Sequence, residues 1–67
     1  MYKFIGDFSI LEDLGFICNK THDYYFLPRK NMYRNYTPIS IDIETRIVEY
    51  SDENDLKLIE KFVKEIV

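Results

Sequence analysis

The stretch "ISIDIE", residues 39–44, alternates without exception: Ile39, Ile41 and Ile43 fall on one side, Ser40, Asp42 and Glu44 on the other. Side chains on a strand repeat every two residues, so this is the pattern of a strand with one buried and one solvated face. After Glu44-Thr45-Arg46 comes Ile47-Val48-Glu49-Tyr50, which is β-branched and aromatic, and the pattern predicts a hairpin over residues 39–50. The turn contains no Gly or Asn-Gly, which leaves its type open.

Downstream, Leu56, Ile59, Val63 and Ile66 recur at helical spacing and Phe62 widens the stripe, which predicts an amphipathic helix over 53–66 packed on the sheet. Ser51 or Asp52 can accept from its first free N–H groups, and Asp52, Glu53 and Asp55 suit the positive end of its dipole. Upstream, "DYYFLP" reads as an aromatic strand ended by Pro28, and "GFICNK" as its neighbour across the polar turn Asn19 to Asp23. In "SILEDLGF", Ser9 and Glu12 have capping-box spacing and Gly15 is placed to stop a helix in the left-handed conformation, with Phe16 against Leu11. That predicts a short helix ending at Leu14, with a start as early as Phe4 because Phe4, Phe8 and Leu11 share a face. The expected fold is therefore α+β: a short N-terminal helix, an antiparallel meander of three or four strands, and a C-terminal amphipathic helix on the sheet.

A chain of 67 residues buries only about 60% of its unfolded surface, so a single domain over 1–67 is expected. One cysteine, Cys18, allows no internal disulfide, and no apolar run approaches the roughly 20 residues that span a bilayer, so a cytoplasmic location and no membrane association are expected. Six tyrosines exceed what so small a core hides, and tyrosine favours interfaces where ring and hydroxyl both serve.

The net charge of −3 is unevenly spread. Residues 1–19 carry −2, residues 20–36 carry +3 (Lys20, Arg29, Lys30, Arg34 against Asp23), and residues 37–67 carry −4. The basic centre contains "PRKNMYRNY", residues 28–36, where Arg29, Lys30 and Arg34 interleave with Tyr33 and Tyr36. Cations that track phosphates beside rings that stack on bases suit single-stranded nucleic acid. The acidic total opposes that use, and Tyr33, Tyr36 and Arg34, types that recur at hot spots, fit a protein contact better.

Catalysis needs converging groups, and the sequence offers few. His22 and Cys18 could meet across a hairpin, but nothing orders them, so no catalytic residue is assigned and no enzyme activity is expected. Two thiolate or imidazole ligands cannot make a structural zinc site, the acidic residues lack the glycine and ligand order of a calcium loop, and Gly6 and Gly15 are isolated, so no metal and no cofactor are expected. Asp42, Glu44, Glu49, Asp52 and Glu53 form the second candidate set. Carboxylates at i and i+2 on a strand lie roughly 6.6–6.8 Å apart, near the spacing of backbone phosphates.

The element order, with "SDENDLKLIEKFVKEI" (51–66) following a short strand, resembles small phage-encoded anti-CRISPR inhibitors that act as acidic DNA mimics. The likeness rests on Ser51 to Phe62, chiefly Glu53-Asn54 and Glu60-Lys61-Phe62. The resemblance implies that Asp42, Glu44, Glu49, Asp52 and Glu53 face basic side chains of a nuclease. The expectation is then a non-enzymatic protein-binding module, an inhibitor of a host defence or nucleic-acid-processing protein carried by a phage or mobile element. The alternatives are a small nucleic-acid-binding protein using residues 29–36, and a self-associating domain or subunit of a larger assembly, such as a homodimer, with tyrosines at the interface.

Overall fold

Ile39 and Ile41 are fully buried while Ser40 and Asp42 between them are half-buried, so the alternation of residues 39–44 does set the faces of a sheet. The computed structural model describes residues 1–28 and 39–66. The elements in chain order are strand β1 (Tyr2–Phe4), helix α1 (Phe8–Asp13), strands β2 (Ile17–Asn19), β3 (Tyr24–Phe26), β4 (Ile39–Asp42) and β5 (Ile47–Tyr50), helix α2 (Glu53–Leu56) continued by a 3-10 segment (Lys57–Phe62), and strand β6 (Val63–Glu65). Among the described residues the strands form one six-stranded antiparallel sheet in the order β2-β3-β4-β5-β1-β6. The α+β class and the four-strand meander β2 to β5 match the sequence expectation. Strands β1 and β6 extend the sheet beyond it.

The β4–β5 hairpin registers Ile41 against Val48 and closes through a turn in which the Arg46 N–H donates to the Asp42 carbonyl at 2.9 Å. Asp42 Oδ1 accepts from the backbone N–H groups of Glu44 (2.8 Å) and Thr45 (2.9 Å), and Arg46 takes a φ of 65°. The Asp42 side chain thus organises a turn that has no glycine. On the other side of β4, β3 pairs Tyr25 with Ile41, and β2 pairs Cys18 with Tyr25.

Helix α1 ends as its sequence predicts. Gly15 has φ 98°, the Phe16 N–H donates to the Leu11 carbonyl (2.9 Å), the Gly15 N–H to that of Glu12 (3.1 Å), and Leu11 and Phe16 share the core. Its start differs. Asp7, not Ser9, is the N-cap and accepts from the Ser9 N–H at 2.8 Å, while Glu12 turns away to accept from the Tyr25 hydroxyl at 2.9 Å. Residues 2–4, which share a helical face with Phe8 and Leu11 in sequence, are instead a strand held between β5 and β6.

The second correction concerns residues 53–66. Asp52 caps α2 through the Asn54 N–H (2.8 Å), but helical geometry breaks at Ile59 (φ −123°, ψ 17°) and Val63–Glu65 pair with β1. The break lets fully buried Ile59 enter the core and sets the Phe62 ring 6.4 Å from that of Phe4. It also gives β1 a partner strand: the Ile5 N–H donates to the Phe62 carbonyl (2.7 Å) and the Ile66 N–H to that of Met1 (2.9 Å). A continuous helix would leave those β1 groups unpaired, and tertiary pairing overrides the helical spacing.

The helices lie on one face of the sheet. The core there joins Phe4, Tyr25, Ile39, Ile41 and Val48 of the strands to Leu11, Phe16 and Ile59 of the helical segments and their flanks. Burying a side chain such as Phe4 or Ile41 completely stabilises by roughly 1.5–3 kcal/mol, more than any exposed ion pair supplies. Among the described residues no helix is long and apolar enough to cross a membrane.

Candidate binding face

With the helices on one side, register fixes what the sheet shows on the other. Tyr25, Ile39, Ile41, Val48 and Phe4 point inward, so the residues that alternate with them point outward. On β2 and β3 these are Ile17, Asn19, Tyr24 and Phe26; on β4 and β5, Ser40, Asp42, Ile47 and Glu49; on β1 and β6, Lys3 and Lys64. Carrying the alternation one residue past each end of β1 adds Met1 and Ile5. Met1 (65% exposed), Ile5 (58%) and Ile17 (50%) are large hydrophobic residues left in solvent on this face.

The face is concave at its centre. An open groove of about 690 Å³ is lined by Tyr24, Asp42, Ile47, Glu49 and Tyr50, with serine and threonine hydroxyls between them. Asp42 is held below its ordinary pKa, chiefly by the backbone N–H of Thr45 and also by that of Glu44, so the groove keeps this charge well into acid. The Tyr24 ring is 5.8 Å from that of Phe26 and 6.4 Å from that of His22, and its hydroxyl accepts from the Asn19 amide at 3.2 Å. The aromatic flank is thereby fixed in place.

The structure brings together part of the acidic set named from sequence. Asp42 and Glu49 share the outer face, Glu44 is exposed in the adjoining turn, and Asp52 caps α2. Glu53 lies elsewhere, close enough to Tyr2 to help raise the pKa of a hydroxyl already pushed up mainly by Glu65. Tyr2 is in register with inward-facing Val48, so that acid is on the helix side. The loop candidates Arg29, Lys30, Tyr33, Arg34 and Tyr36 lie outside the described residues.

Lys3, Lys64, Tyr24, Phe26 and Ile47 were not among the residues singled out from sequence. One signal pointed to the aromatic pair: Tyr24-Tyr25-Phe26-Leu27 is apolar at every position, so whichever side of that strand is buried, the other shows rings. No family model, curated protein or solved structure matches this chain.

Proposed function

We propose that this chain is a non-enzymatic protein-binding module whose contact surface is the uncovered face of the sheet. The observation that supports it is the composition of that face. An antiparallel sheet with one side in water ordinarily shows a polar outer row, whereas this one shows Met1, Ile5, Ile17, Tyr24, Phe26 and Ile47 around two carboxylates. Large hydrophobic and aromatic side chains exposed beside charged groups are the usual mark of a protein contact. The aromatic rings of Tyr24 and Phe26 on one flank supply large contact area with little side-chain entropy to lose. Inhibition of a host nucleic-acid-processing protein is the narrower form of this reading, with Asp42 and Glu49 meeting basic side chains of the target.

The test is affinity capture with the immobilised chain and two kinds of variant. Phe26→Glu and Ile47→Lys should each reduce retention of bound protein by about tenfold or more, as loss of a central contact does. Leu58→Lys, at a residue 48% exposed in the 3-10 segment, should leave retention unchanged. Equal capture by all three would remove the outer face from the function.

A further inference from the structure

The charges on the outer face are sorted by sign. Lys3 and Lys64 are directly opposite one another across β1 and β6, and like charges in that position destabilise a sheet. Asp42 and Glu49 are diagonal neighbours across β4 and β5, because Glu49 registers with Ser40, two residues from Asp42. Such neighbours stand about 7–8 Å apart. Among the described residues none of these four side chains has an ion-pair partner. One half of the face is therefore a like-charged lysine pair, the other a like-charged carboxylate pair set in a groove, and Ile47 lies between them.

We infer that this face closes on a second copy of the same chain, each copy's lysine pair entering the other's acidic groove. The inference rests on the protein-binding reading of the face and names its partner. A two-fold axis running along the strands between β5 and β1 lays β5 over the other copy's β1 and β4 over its β6. Asp42 then faces the second copy's Lys64, and Ile47 faces the aliphatic stem of its Lys3, with Glu49 beside the same ammonium. Each contact occurs twice, as an isologous interface requires. Face-to-face sheets pack about 10 Å apart, a gap that facing lysine and carboxylate side chains span together. The same superposition covers Met1 and Ile5, which flank the axis on β1. A standard interface needs roughly 800 Å² from each partner, about a sixth of this chain's 5053 Å² of accessible surface; the superposition draws it from four of the six strands, β4, β5, β1 and β6, and leaves β2 and β3 outside the contact.

Sedimentation equilibrium over a wide concentration range tests this, with circular dichroism confirming that each variant is folded. The wild type should dimerise at low salt, and raising salt from about 0.05 M to about 0.5 M should weaken it, because the pairing charges become screened. Lys3→Glu/Lys64→Glu should raise the dimer dissociation constant on the order of 10–100-fold, by placing like charges face to face. Asp42→Asn/Glu49→Lys should do the same, and asparagine keeps the Oδ1 acceptor that closes the 43–46 turn. Mixing the two variants in equal amounts should restore a dimer, since both interface halves are then complementary. A wild type that stays monomeric, a dimer indifferent to both variants, or a mixture that stays monomeric would overturn the inference. A monomeric wild type whose outer-face variants still lose captured protein would leave the broader binding reading standing.

Discussion

Arg46 ties together parts of the chain forty residues apart. Its guanidinium donates to the carbonyls of Gly6 (2.7 Å) and Phe4 (3.3 Å) and lies 4.4 Å from the centroid of the Phe8 ring, while its own carbonyl accepts from the Phe4 N–H at 2.8 Å. Hydrogen bonds from a charged donor contribute about 1.5–3 kcal/mol. Arg46→Ala should therefore lower the urea-derived unfolding free energy by about 2–3 kcal/mol, and Arg46→Lys should recover only part, since a lysine is shorter and lacks the planar guanidinium that lies over the Phe8 ring. Tyr25 gives the residue scale its pH dependence. The hydrogen bond to Glu12, aided by burial, pushes its hydroxyl up to about 12 from an ordinary 10. The folded chain holds that proton more tightly than the unfolded one, so the contribution is complete below pH 10 and is lost as the pH rises toward 12. Urea titrations across that interval should show a steeper alkaline loss for the wild type than for Tyr25→Phe. Neither role was legible beforehand, because each depends on residues far apart in sequence.

The two helical ends differ in how far sequence reveals them. The stop at Gly15 was readable because left-handed backbone singles out glycine, and the structure gives it φ 98°. A Cβ there would come no nearer than 3.9 Å to Leu27, so space is not the obstacle. Gly15→Ala should cost about 1–2 kcal/mol in thermal or urea unfolding, from backbone conformation alone. The start was misread because Asp7 and Ser9 both suit an N-cap, and choosing between them takes the course of the chain as it leaves β1. Residues 57–66 illustrate a different ambiguity: Ile59, Val63 and Ile66 fit a helical stripe, yet three-residue strands are too short to display a period of two. Hydrogen exchange separates the alternatives. The Ile5 amide, donated to Phe62, should be strongly protected, whereas a helix through 66 would leave it to exchange freely.

At the scale of the molecule, the strict alternation of 39–44 and the β-branched run after it were enough to predict the β4–β5 hairpin, while its central place in the sheet and the flank of β1 and β6 were not legible. The candidate face follows the same division. Asp42 and Glu49 were visible as the polar side of an alternating hairpin; Lys3 and Lys64 enter only once β1 and β6 are known to be strands and neighbours. Because one face of the sheet carries all the helical packing, the core is thin and each inward side chain matters. Phe4, fully buried and 5.9 Å from the Phe8 ring, joins the sheet flank to α1. Phe4→Ala should remove about 3–5 kcal/mol, a large share of what a domain of this size possesses, and abolish a cooperative transition at physiological temperature in calorimetry.

The place of β1 in the sheet also sets an order in time. A ribosome makes it well before β5 and β6, the two strands between which it lies. The meander of β2 to β5 can pair strand by strand as it emerges, but Tyr2, Lys3 and Phe4 have no strand to join until residues 47–50 are out, and no second one until residues 63–65 follow. During synthesis Tyr2, Lys3 and Phe4 therefore wait unpaired, and the described sheet reaches its full width only when β6 arrives.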